Sequence, residues 1–125
     1  MSVRVERVAS TLKEELSTFF QREFLMEEYG LMTVTEVRMS PDLRHAKVFV
    51  SVFGDGERKQ KTLALLESQT GRIRSAMGRA VRLRFTPELA FELDETIDRA
   101  MNLERILQQI HEEEKQRHRN AEGKE

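Results

Sequence analysis

Between residues 3 and 52 the apolar side chains change their spacing once, from a helical repeat to a strand alternation. A chain that does this must pack a helix against a hairpin. Val5, Val8, Ala9, Leu12, Leu16, Phe19, Phe20 and Phe24 recur at helical spacing, which predicts an amphipathic helix over 3–24 with Ser2 as its cap. Gly30 closes a short connection. LMTVTEVRM (31–39) is rich in β-branched residues, and RHAKVFVSV (44–52) places Ala46, Val48, Val50 and Val52 on one face. Between them, Ser40-Pro41-Asp42 is turn chemistry: proline pre-sets its φ, and aspartate bonds local backbone. A hairpin follows.

Gly54-Asp55-Gly56 interrupts the second strand. Leu63, Leu65 and Leu66 then mark a helix ending near Ser68, and Ile73, Ala76, Met77 and Ala80 mark another, with Gly71 at the joint between them. Val81, Leu83 and Phe85 alternate with Arg82 and Arg84, which predicts a strand that Pro87 interrupts and Leu89, Phe91 and Leu93 resume. A last helix is expected from about Asp94, with Glu95 and Asp98 suiting its dipole and an apolar stripe of Ile97, Met101, Leu103, Leu107 and Ile110. EEEKQRHRNAEGKE (112–125) has almost no apolar content and is expected to be disordered. The order α-β-β-α-α-β-α makes the first two strands antiparallel. The long helical crossover makes the second and third parallel. The fold class is therefore α+β: a three-stranded sheet with helices packed on one face, in a single domain over 1–111 followed by a tail over 112–125.

Composition limits function. The 125 residues contain no cysteine, so thiolate metal sites and disulfides are excluded. No apolar run approaches a membrane span, and MSVRVERVAS lacks the apolar stretch of a secretory signal. A cytoplasmic location is expected. The net charge is −1, but residues 58–84 carry 8 basic groups against Glu67 alone, and residues 85–114 carry 9 acidic groups against 2 basic ones. Local field, not overall charge, decides the partner.

Within the basic block, Arg58, Lys59 and Lys61 lie where cations oppose a helix dipole, which suggests an external anion. Arg72 and Arg79 share a helix face, Arg74 points elsewhere on that helix, and Arg82 and Arg84 share a strand face. Arg44 and Lys47 of the hairpin extend the same surface. Guanidinium forks suit phosphates and stack on unpaired bases; five engaged cations give a log–log salt slope of roughly −4. The bland reading is that the acidic block that follows neutralises these charges internally. His111 and Glu114 lack further metal ligands, and His45 is an exposed hairpin residue. Met77 and Met101 belong to core stripes, and Phe49 and Phe53 are expected beneath another element. No P-loop, nucleophile elbow or carboxylate cluster is present, so no catalysis, metal or cofactor is expected.

The element order and the joint glycine resemble a type II KH fold. Three strings narrow the likeness: S-x-D-L-x-x-A-K-V from Ser40 to Val48, G-x-I-R from Gly71 to Arg74, and L-R-x-x-P-E-L-x-F from Leu83 to Phe91. Together with RVERVASTLKEEL (4–16) they resemble the ribosome-binding factor A family over roughly residues 3–110. The resemblance implies a non-enzymatic, monomeric assembly factor that binds the free 30S subunit through 16S rRNA. It further implies assistance to late maturation and rRNA processing, alongside other assembly factors, and a link to growth in the cold. KH domains join these helices by G-x-x-G and this family by A-x-G; here Gln69-Thr70-Gly71 occupies the joint. FLMEEYG (24–30) also departs from the family's Pro- and Arg-bearing loop. The RNA-binding set expected on this basis is Arg44, Lys47, Gly71, Arg72, Arg74, Arg79, Arg82 and Arg84. The alternative is a module that binds a basic protein through its acidic C-terminal helix.

Overall fold

Helix α1 (Val3–Glu23) begins after Ser2, whose backbone is extended but whose hydroxyl makes no cap bond; the first turn is held instead by the Ser2 carbonyl, which accepts from Glu6 N–H. The structure, a computed structural model, describes residues 2–122. A single-turn helix, α2 (Met26–Tyr29), ends at Gly30, whose φ of +73° is open to glycine at little cost. Strands β1 (Met32–Met39) and β2 (His45–Val52) form the hairpin. Helices α3 (Gly56–Ser68) and α4 (Thr70–Ala80) follow, then β3 (Glu88–Leu93) and α5 (Thr96–Glu122). The sheet order is β1-β2-β3, with β1 antiparallel and β3 parallel to the central β2. The α+β architecture and the strand order match the expectation.

The core lies on one face of this sheet. Ala46, Val48, Val50 and Val52 are all buried along β2, as are Val34 and Val37 of β1 and Phe91 of β3. Against them pack Leu12, Leu16, Phe19, Phe20 and Phe24, with Leu66 of α3 and Ile73, Ala76 and Met77 of α4. Thr62 is the buried polar residue of this core, and its hydroxyl donates to the Tyr29 carbonyl at 2.6 Å. That bond ties α3 to the end of α2.

Three expectations need correction. Residues 81–87 are not a strand. Parallel pairing starts at His45↔Glu88, and upstream of His45 the chain is already in the Ser40–Arg44 turn, so the 81–87 alternation meets no partner strand; Pro87 has no N–H to offer one. Second, Phe49 is only half-buried and Phe53, just past the end of β2, is 77% exposed, so neither is buried as expected. Third, α5 runs to Glu122 where disorder was expected. Residues 112–122 are mostly good helix formers, with Glu113 four before Arg117 and no Gly or Pro. By compactness the chain forms two units, one ending at Asp94 and the other beginning at Glu95. Along α5, Met101 is 64% exposed and Leu103, Leu107 and Ile110 are exposed as well, so Met101 belongs to no core stripe. The side chain of Ile97 and residues 123–125 lie outside the described residues.

The 81–87 segment is fixed by other means. Val81 and Pro87 are buried. Arg74 of α4 donates from Nε to the Pro87 carbonyl (3.0 Å) and from Nη2 to the Thr86 carbonyl (3.1 Å). Gly78 lets the segment approach α4, since a Cβ there would lie 2.8 Å from Thr86 Oγ1.

Two substitutions test these ties. Thr62→Val keeps the volume but leaves the buried Tyr29 carbonyl without its donor, and is expected to cost about 1–3 kcal/mol in urea unfolding. Arg74→Ala removes two charge-assisted bonds and is expected to cost roughly 1.5–3 kcal/mol. Amide exchange should rise in residues 81–87 first; unchanged exchange there would remove Arg74 as the segment's anchor.

Candidate nucleic-acid interface

The residues singled out from the sequence separate into three kinds. Some are already engaged. Lys47 Nζ lies 3.4 Å from Glu92 Oε1 across the outer sheet face, and Arg72 Nη2 lies 2.7 Å from Glu23 Oε2. Arg74 gives its fork to the two carbonyls of the 81–87 segment. Arg58 is likewise structural: its guanidinium donates to the Glu27 carbonyl at 3.4 Å, and its backbone N–H is capped by Asp55 at 2.8 Å.

Others are exposed and make no ion pair among the described residues: Arg44, Arg79, Arg82 and Arg84. The two glutamates of β3, Glu88 and Glu92, stand against His45 and Lys47 and make no ion pair with the arginines from Arg72 to Arg84 among the described residues. Gly71 is a third kind. The break between α3 and α4 falls on Gln69, with φ −100° and ψ 8°, and Gly71 sits within the first turn of α4. A Cβ at Gly71 would meet nothing within 4 Å, so neither packing nor backbone geometry demands glycine there.

The exposed arginines do not form one patch. Arg72 and Arg79 share a cavity of about 390 Å³ with Phe19, Arg22 and Glu23, beside the C-terminal end of α1. Arg44 and Arg84 share another, of about 380 Å³, with Arg4 at the N-terminal end of the same helix. At about 1.5 Å per residue, the 19 steps from Arg4 to Glu23 put roughly 28 Å between the two sites. That exceeds the screening length of about 8 Å at physiological salt. They act as two positive sites.

The second cavity assembles from two walls that the sheet register brings side by side. The Arg44 carbonyl accepts from Glu88 N–H at 2.8 Å, which seats the 40–44 turn beside the 81–87 segment. Within the turn, the Ser40 hydroxyl donates to Asp42 Oδ1 at 2.6 Å and accepts from His45 N–H at 3.0 Å. Arg44 N–H donates to the same Asp42 oxygen at 3.1 Å. Leu43 takes a φ of +61°, which costs a non-glycine residue of order 1 kcal/mol and persists only where its surroundings enforce it. The Ser40 hydroxyl, and then the Arg44 N–H, hold the Asp42 carboxyl below its ordinary range. A lowered folded-state value means that the turn is favoured above the ordinary carboxylate range and loosens only as pH falls through that lowered value.

Phe85 stands in this cavity, 50% exposed. The Arg44 guanidinium carbon is 4.7 Å from its ring centroid and that of Arg84 is 5.4 Å away, both within cation–π reach. Sequence reasoning missed Phe85 and Arg4. Alternation puts Phe85 on the apolar side of a strand that does not form, and Arg4 lies far from the basic block. The one available signal was the proximity of Pro87.

Comparison with known proteins gives a consistent result. Residues 4–107 match the family model for ribosome-binding factor A. The ribosome-binding factor A of Natranaerobius thermophilus is 44% identical over 108 residues, covering 86% of this chain and 82% of that protein. The crystal structure of ribosome-binding factor A from Thermus thermophilus superposes with a TM-score of 0.63 at 29% identity, over 71% of this chain and 94% of that one. A homology model of the Thermus thermophilus factor, fitted into a cryo-EM map of its complex with the 30S subunit, superposes with a TM-score of 0.59 at 30% identity, over 69% and 90% of the two chains. The family is one of ribosome-binding factors and not of enzymes. With the sheet order, the superposed structures and the matched span in agreement, this chain belongs to the ribosome-binding factor A family.

Proposed function

We propose that this chain binds the free 30S subunit through 16S rRNA and assists its late maturation and rRNA processing, as a cytoplasmic monomer that performs no bond chemistry. Cold growth and cooperation with other assembly factors belong to the same reading. Its work is conformational: binding shifts the rRNA population toward the form that the protein contacts. The observation that carries this is the set of exposed arginines without carboxylate partners among the described residues, Arg44, Arg79, Arg82 and Arg84; Arg79 lies at one end of α1, and Arg44 with Arg84 at the other. Membership of the family and the 30S complex formed by the Thermus thermophilus factor support it.

Structured RNA is contacted mainly through phosphates and 2′-hydroxyls, because side chains do not enter the deep groove of A-form duplex. Two arginine sites on a rigid helix suit that mode, since each can take a separate stretch of backbone. Lys47, Arg72, Arg74 and Gly71 remain in the proposed contact set with different weights. Exposed pairs such as Lys47–Glu92 and Arg72–Glu23 contribute only about 0–1 kcal/mol and can be given up to phosphate. The two bonds made by Arg74 are worth more, so it acts by holding Arg82 and Arg84 in place. Gly71 leaves open space in which backbone is accessible.

A second reading rests on α5, which exposes Leu103, Ile106, Leu107 and Ile110 on one stripe amid acidic residues and so offers a protein partner an amphipathic face.

Sedimentation with purified subunits separates the two. The protein is expected to travel with small and not large subunits, with a salt slope of roughly −3, since four arginines rather than five cations are free to engage. The double substitution Arg79→Glu, Arg82→Glu should weaken this binding at least about ten-fold. Binding that survives both high salt and the charge reversal would sink the phosphate-driven reading in favour of the α5 face.

A further inference from the structure

We propose that the cavity between the 40–44 turn and the 81–87 segment receives one unpaired nucleotide of single-stranded RNA, its base laid against Phe85 and its phosphate held by Arg4, Arg44 and Arg84. This rests on the reading of the chain as an RNA-binding protein and adds to it a strand type and a stacking residue.

The chemistry of the cavity selects that ligand. Three guanidiniums outnumber the single carboxylate of the lining, Asp42, whose Oδ1 accepts from the Ser40 hydroxyl and the Arg44 N–H. An anion is therefore favoured, and the binding groups are forks suited to phosphate oxygens. Phosphate alone would not call for an aromatic ring. Phe85 is half exposed in the midst of these charges and is flanked by Leu43 and Leu83, so the site has a planar apolar surface bordered by cations. Bases stack on such surfaces, and the guanidinium plane extends the platform. A base inside a duplex has both faces covered by its neighbours and cannot use the ring; an unpaired base can. An acidic peptide would satisfy the arginines but leave the aromatic face wet.

The site is also built before the ligand arrives. Arg74 and Gly78 set the position of one wall, and the Ser40–Asp42 bonds with the left-handed Leu43 set the other. The cavity volume of about 380 Å³ falls in the range of small-ligand clefts. Pre-formed walls lower the ordering cost of binding.

The test uses the full chain and a short single-stranded oligoribonucleotide carrying one 2-aminopurine. The wild type is expected to quench the 2-aminopurine and to bind the single strand more tightly than a duplex of equal length. Phe85→Leu keeps apolar bulk and so preserves the segment's packing, which circular dichroism checks. It should weaken single-strand binding by about 5- to 150-fold and abolish the quenching, whereas Phe85→Tyr should retain both. Arg44→Gln with Arg84→Gln should weaken binding and flatten its salt dependence. Equal affinity for duplex and single strand, or a Phe85→Leu protein that binds and quenches like wild type, overturns the proposal. So does displacement of the oligonucleotide by polyglutamate at equal charge concentration. The ribosome reading fails on a separate measurement, the sedimentation of wild-type protein with small subunits, which none of these variants enters.

Discussion

Burial of the apolar face of α1 against one side of a three-stranded sheet is the interaction on which the remaining structure depends. Leu12 and Leu16 are fully buried, and so are Val48 and Val50 of the central strand. Each such side chain contributes about 1.5–3 kcal/mol relative to exposure. Phe19, Phe20 and Phe24 extend the contact through edge and tilted ring pairs, and Tyr29 stacks on Phe24 at 4.3 Å. Because α1 is long and pinned along the sheet, it also fixes the distance between its ends. The functional geometry is a consequence of that core: one arginine site gathers at Arg4, the other at Glu23, and their separation cannot be tuned without repacking the helix.

One residue type serves three purposes around this frame, and free energy sorts them. Arg74 gives its fork to two backbone carbonyls, part-buried, where charge-assisted bonds are strong and replacement by water is costly. Arg72 gives one nitrogen to Glu23 and lies 5.7 Å from the Phe19 ring, in an exposed setting where pairing is weak and reversible. Arg79, Arg82 and Arg84 keep their donors for water or a partner. On the proposed RNA reading, an incoming phosphate meets a graded set: the unpaired residues would give affinity, the paired one would give up little to join, and the anchored one would keep its neighbours aimed.

Much of this was legible in the sequence, and the losses have specific causes. The helical spacing of Leu12, Leu16 and Phe19 and the alternation from Ala46 to Val52 each encode burial against one neighbour, and both survive in the structure. Alternation from Val81 to Phe85 encodes only that side chains differ, because a strand needs a partner, and β2 begins too late to supply one. The convergence of the arginines was read from their closeness in sequence. Space is divided instead by helix length, which sends Arg72 and Arg84 to different sites and draws in Arg4 from far upstream. The bonds of Arg74 to the carbonyls of Thr86 and Pro87 leave no trace in the sequence, since a carbonyl is common to every residue. The stripe on α5 was legible as a stripe; whether anything covers it is a tertiary matter that periodicity does not carry.

A net charge of −1 looks unfavourable for a partner made of phosphates, and the placement of the acids resolves the conflict. On the outer face of the sheet, Glu36 holds Arg38 at 2.9 Å and Glu92 holds Lys47, while Glu88 stands near His45. That face offers few free cations beside its half-buried Phe49. It is a poor surface for RNA despite being an exposed sheet with an aromatic. The free guanidiniums lie instead at the turn, on α4 and in the segment after it. Among the described residues these acids pair with Arg38, Lys47 and His45 and not with the free guanidiniums. On the proposed reading they raise the energy of the wrong approach, so that an RNA partner would meet attraction from the side of the free guanidiniums and little from the outer sheet face. Charge balance over the whole chain would then limit indiscriminate binding to nucleic acid, while the local imbalance at two separated sites would set the orientation of docking.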